Sequence, residues 1–160
     1  MQSKKILNQI IPATAIRDEQ IEGQNCAYEG FTFRFEEQFF RSRLAKKTAK
    51  KKGYFVSFWE KNEGNENQAF DYDGAADKTL IAISDNEQCG LFIFPKKVLA
   101  QQKILRSQTH KGKMAIRVYP SWETDLNAAA SNTQRWQQLY FIDLSKAIDS
   151  EKVQLLLAGE

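Results

Sequence analysis

Asp77-Lys78-Thr79-Leu80-Ile81-Ala82-Ile83-Ser84, followed after a polar break by Gly90-Leu91-Phe92-Ile93-Phe94-Pro95-Lys96, is the stretch that decides the fold. Residues 79–84 are a short apolar run, too brief for an amphipathic helix, and predict a central strand. Residues 91–94 predict a second strand, ended by Pro95. Proline fits the start of a helix because its missing N–H would be unpaired there anyway, so residues 96–105 read as helical. A further strand is expected over residues 114–119, broken by Pro120.

Upstream, Phe31, Phe33 and Phe35 alternate with Thr32 and Arg34, which predicts a strand over residues 28–35 with one buried face. A turn at 36–38 and a second strand over 39–44 complete a hairpin. The lysine run that follows reads as an exposed loop ending at Gly53, and residues 54–59 as a third strand. Asn62-Glu63-Gly64-Asn65-Glu66-Asn67 is a loop. At the N-terminus Ile6, Leu7, Ile10 and Ile11 predict an amphipathic helix over 3–11, stopped by Pro12, with polar residues 17–25 as connection. After Trp122 a long helix is expected over 125–144, capped by Thr124, then a short one over 145–158. This order predicts one mixed α/β domain over residues 1–160, a central mixed β-sheet flanked by helices.

The chain has 160 residues, 42% of them hydrophobic, with eleven Phe and three Trp, enough for one domain with a core. Cys26 and Cys89 are far apart and form no C-x-x-C, which excludes a zinc knuckle and a thioredoxin-like pair and suits a reducing compartment. No apolar run nears the ~20 residues of a membrane span. The basic start, Met1 to Lys5, is not followed by the apolar segment of a signal peptide. A cytoplasmic protein with no membrane partner is expected; the oligomeric state is not legible.

Charge is segregated. Residues 41–52 hold seven Lys/Arg and no acid, and residues 88–122 again hold no acid, whereas residues 60–87 hold eight. Two acid-free basic blocks raise local anion concentration if they meet on one face. Catalytic chemistry is scarce. The one histidine, His110, has no acid in its segment to orient it, and no phosphate-binding glycine loop occurs. Residues 71–77 fail the calcium-loop pattern because the glycine is misplaced and Ala82 stands at the glutamate position. Metal-dependent nucleases pair an Asp before one strand with an acid on the next and a lysine two residues later. Asp77 and Lys96 fit, but Phe94 occupies the acid's position. The expectation is a disabled site, with no cofactor, metal or catalytic residue.

Four blocks carry a family resemblance. They are Arg41-x-x-x-Ala45-Lys46-x-Thr48-x-x-Lys51-x-Gly53-x-Phe55-Val56-x-x-Trp59; Gly90-x-Phe92-x-Phe94-Pro95-Lys96-x-Val98-Leu99; Lys113-x-Ala115-Ile116-Arg117-Val118-Tyr119-Pro120-x-Trp122; and Gln134-x-Trp136-Gln137-x-x-Tyr140-Phe141. Together they resemble the MepB-like family of small bacterial proteins over residues 28–142, with Ala49 and Ser121 standing where the pattern often has proline. The resemblance implies a restriction-endonuclease-like α/β core.

The family blocks coincide with the basic ones. Arg41, Lys46, Thr48, Lys51, Lys96, Lys113, Arg117 and Arg135 carry donors for phosphate, and Tyr119 and Trp122 offer faces for bases. Trp59 and Trp136 are expected in the core. Alternation sets Arg117 and Tyr119 on one face, opposite Ile116 and Val118. The leading expectation is a non-catalytic nucleic-acid-binding protein. The alternatives are a small-molecule or anion-binding protein linked to drug or stress response, and a metal-dependent nuclease whose missing acid is supplied by Glu60.

Overall fold

The computed structural model describes residues 1–159. Its elements are α1 (Gln2–Leu7), β1 (Arg17–Ile21), β2 (Phe31–Phe35), β3 (Gln38–Leu44), β4 (Lys46–Lys47), β5 (Tyr54–Ser57), β6 (Glu60–Lys61), β7 (Asn67–Gln68), β8 (Lys78–Asp85), β9 (Gln88–Pro95), α2 (Lys96–Gln101), β10 (Ala115–Val118), α3 (Ala128–Gln137), β11 (Phe141–Asp143) and α4 (Ser150–Ala158). A six-stranded sheet runs β1-β2-β3-β8-β9-β11. It is mixed, because β3 pairs with β8 in parallel and the other neighbours are antiparallel. The protein is thus mixed α/β, with a central mixed sheet flanked by helices.

Alternation along the strands fills both faces of this sheet. On one face Phe31, Phe33, Phe40, Leu80, Ala82, Leu91 and Ile93 pack beneath Leu7 of α1 and Val153 of α4. Phe33 and Phe40, cross-strand neighbours, stack with centroids 5.0 Å apart. On the other face Ile81, Ile83, Phe92 and Phe94 pack against Tyr54, Val56, Ile116 and Val118 and against Leu99 of α2. The central strands β8 and β9 therefore have side chains buried on both faces, which is why residues 79–83 and 91–94 are continuous apolar runs.

Several expectations need correction. Residues 17–21 are not a connection but an edge strand, with every residue exposed and held by backbone pairing to β2. The strands at 54–57 and 115–118 do not enter the central sheet. With β4 they form a separate three-stranded sheet, β10-β5-β4, over its second face. The helix after Trp122 is shorter than expected. Asn127, not Thr124, caps it by accepting from the Ala130 N–H at 2.9 Å. It ends at Gln137, a 3₁₀ turn follows, and Phe141–Asp143 pairs with β9 as the other edge strand. α1 stops at Leu7 and α2 at Gln101, each followed by turns rather than further helix. No helix among the described residues is long and apolar enough to cross a membrane.

Candidate nucleic-acid interface

The site forms where the small sheet meets α3. β4 pairs Lys46 with Phe55 and Lys47 with Tyr54, so only residues 48–53 of the lysine run are loop. That loop is pinned at several points. Thr48 Oγ1 donates to the Lys51 carbonyl at 3.2 Å. Arg117 Nη1, from β10, donates to Thr48 Oγ1 at 2.9 Å and to the Lys52 carbonyl at 3.1 Å. Lys52 Nζ reaches the carbonyls of Thr124 and Asp125 ahead of α3, at 2.7 and 3.1 Å. Gly53 turns the chain with φ +82°, and a Cβ there would sit 2.7 Å from the Tyr119 ring.

Two clefts result. The first, of ~490 Å³, is bordered by Lys50, Lys51, Lys52 and the start of α3. The second, of ~200 Å³, is bordered by Gln102, Lys113 and Trp136. Arg117, Tyr119 and Thr133 line both, so the two clefts are neighbours on one face, referred to together as the groove. Part of each acid-free basic block, Lys50 to Lys52 from the first and Lys113 and Arg117 from the second, therefore meets on one face. Asp125 is the carboxylate on the groove wall. The buried Gln137 amide holds the floor, accepting from the Tyr119 N–H at 2.9 Å and donating to the Arg117 carbonyl at 3.0 Å. As alternation predicts, Ile116 and Val118 are buried while Arg117 and Tyr119 face the groove.

Of the residues singled out from the sequence, Lys51, Lys113, Arg117 and Tyr119 line the groove and Thr48 braces its loop. The others are elsewhere. Arg41 faces the second side of the central sheet. Its Nε is 3.2 Å from Glu22 Oε1, its guanidinium lies 4.0 Å from the Phe70 ring centroid, and its side chain is only 12% exposed. Burial pulls its pKa below the usual arginine value against the opposing pull of Glu22. Lys46 stands over the Tyr28 ring. Trp122 packs on Tyr54 and Phe141, its indole N–H donating to the Tyr54 hydroxyl at 3.0 Å. Arg135 is exposed on α3 and bonds Asn132. Trp136 joins the second core, resting 5.4 Å from Phe94, whereas Trp59 is only half-buried and belongs to neither core. Arg106 of the second basic block turns towards Glu60 and Asp71. Lys50 and Lys52, of the same lysine run as Lys51, also line the groove. The roles of Gln102 and Thr133 carry no local signal.

Lys96 lies on a different cleft, of ~570 Å³, with Asp77, Glu37 and Tyr72. Its Nζ is 4.6 Å from the Tyr72 centroid, and Asp77 Oδ2 accepts from the Phe39 N–H at 2.9 Å. Phe94 is wholly buried on Phe92. Glu60 is not on this cleft; Arg106 and Gln68 take its carboxylate.

These features define a mixed α/β protein with a basic, aromatic-walled groove on one side of its sheet and an acidic–basic cleft at the mouth of its central hairpin. The chain belongs to the MepB-like family, whose model matches residues 22–143. It is similar to a crystal structure of MepB, at 44% identity and a TM-score of 0.83, over 91% of this chain and 99% of that one. A bacterial homing endonuclease is a far looser neighbour, at 13% identity and a TM-score of 0.45, over 84% of this chain and 86% of that one. No curated protein matches the chain.

Proposed function

We propose that this protein binds nucleic acid without cleaving it, holding the phosphate backbone in the groove between the lysine loop and α3. The observation that carries this reading is the convergence of Lys50, Lys51, Lys52, Lys113 and Arg117 on one groove, faced among the described residues by one carboxylate, Asp125. Phosphates displace condensed counterions when they meet such a row, so affinity falls steeply with salt and depends little on sequence. Two adjacent open clefts that share Arg117 suit a polymer better than a single compact anion pocket does. Phe94 in the place of a metal-binding acid is the reason to read the protein as non-catalytic.

The test is binding of labelled single- and double-stranded DNA across salt, with and without magnesium, for the native chain and a Lys50/Lys51/Lys113→Gln variant. Each lysine that touches a phosphate contributes roughly 0.7–0.9 to the slope of log affinity against log salt, so the variant loses about two to three units of slope. No binding at low salt removes the proposal and leaves a small anionic ligand as the alternative. Strand scission with magnesium overturns its non-catalytic part and points to Asp77, Glu37 and Lys96.

A further inference from the structure

Resting on that reading, we infer that the recess between Tyr119 and Trp136 receives an unpaired base, which makes the ligand single-stranded rather than duplex nucleic acid. The recess is the ~200 Å³ end of the groove, lined by Gln102, Ile104, Lys113, Tyr119, Thr133 and Trp136. This is below the ~300–1,000 Å³ of pockets that enclose a whole small molecule, yet it suits one planar ring whose phosphate lies outside. The phosphate's place is adjacent, because Arg117 borders both the recess and the lysine-lined cleft.

The walls are set in advance. Trp136 is backed by the buried Phe94, with centroids 5.4 Å apart. The Tyr119 ring lies against Gly53, where no side chain intrudes, and its backbone is tied to Gln137. A base entering the recess can stack on either ring, since every base has a π-face. Gln102, half-buried at the rim, makes no side-chain hydrogen bond among the described residues, and its amide presents a donor and an acceptor to a base edge. A duplex also brings phosphates to the lysines, but its bases are stacked and paired and must first be flipped out to fill the recess.

The deciding experiment compares three oligomers of equal length at one salt concentration: an intact single strand, an abasic single strand with the same phosphates, and a duplex. The intact strand is expected to bind at least tenfold more tightly than either of the others and to quench tryptophan emission. The abasic strand should leave emission unchanged. Trp136→Phe should abolish the quenching, and Thr133→Phe, which fills the recess that Thr133 lines, should bring the intact strand down to the affinity of the abasic one. Circular dichroism checks that both variants fold. Equal, lysine-dependent affinity for all three oligomers overturns this inference while sparing the phosphate-binding proposal. Absence of binding to any of them removes both.

Discussion

Arg41 and Arg43 show how residue chemistry alone misleads about place. Both are on β3 and point to the same side, where one carboxylate serves them. Glu22 Oε1 is 2.6 Å from Arg43 Nη1 and 3.2 Å from Arg41 Nε. Arg43 is wholly buried, and Gly30 allows its approach, since a Cβ there would lie 2.9 Å from Nη1. Taking Glu22 away leaves the buried Arg43 guanidinium without its carboxylate and Arg41 with only the weaker attraction of Glu60. Glu22→Gln is therefore expected to lower stability by about 3–5 kcal/mol in urea unfolding, without changing the salt slope of DNA binding. An unchanged urea midpoint would show the pair to be solvated. Asp85 ties the lysine-bearing small sheet to the central hairpin by a different route. The Tyr54 hydroxyl donates to its Oδ2 at 2.6 Å and Lys47 Nζ lies 3.3 Å away. The bond from Tyr54 holds the Asp85 carboxyl below its ordinary value of 3.8, with Lys47 adding to the effect against partial burial. A lowered folded-state pKa means stability that is present above 3.8 and lost as pH falls through the folded value. Asp85→Asn should thus cost about 1–2 kcal/mol at pH 7, and its deficit should shrink as acid protonates the native carboxylate. A deficit constant from pH 7 down to pH 2 would contradict this.

At the scale of elements, legibility follows how each segment is stabilised. β8 and β9 are readable because both faces are buried and the side chains declare it. β1 is not, because its five exposed residues hold their place through backbone bonds to β2, which carry no side-chain signature. β11 is masked by helical spacing that runs on through Trp136, Tyr140 and Phe141. The contact that seats β11 is remote in sequence: Gly90 on β9 has no Cβ, and one added there would lie 2.4 Å from the Phe141 ring. That gap lets Phe141–Asp143 settle against β9. The strands at 54–57 and 115–118 are legible as strands, but alternation specifies a face and not a partner, so their separate sheet is hidden. The candidate groove divides along the same line. The absence of acids in residues 88–122 singles out Lys113 and Arg117, which the fold places on the groove wall. The same rule fails for Arg41 and Arg106, whose acidic partners lie in other segments and meet them only through the fold. The lysine loop is brought to Arg117 by β4–β5 pairing, which a polar sequence does not announce.

For the whole molecule, the arrangement of the cores argues that the chain unfolds as one unit. The two apolar clusters lie on opposite faces of one sheet, and β8 and β9 contribute alternate side chains to each. Loss of α1 or α4 would uncover Leu80, Ala82, Leu91 and Ile93, which are on the same strands that position Ile81, Ile83, Phe92 and Phe94 beneath the groove. Neither face can melt without releasing strands the other depends on, so far-UV circular dichroism and tryptophan emission should report a single coincident transition. The coupling has a sharper test. Leu7 of α1 is 1% exposed on the first face, whereas Trp122 and Trp136 pack on the second. Leu7→Ala creates a cavity worth roughly 2–5 kcal/mol. If the faces are coupled, that full loss should appear in the denaturant midpoint read from the tryptophans on the far side. A tryptophan midpoint left unmoved while the circular dichroism midpoint falls would mean that the groove and its small sheet form a unit stable apart from the helices behind them.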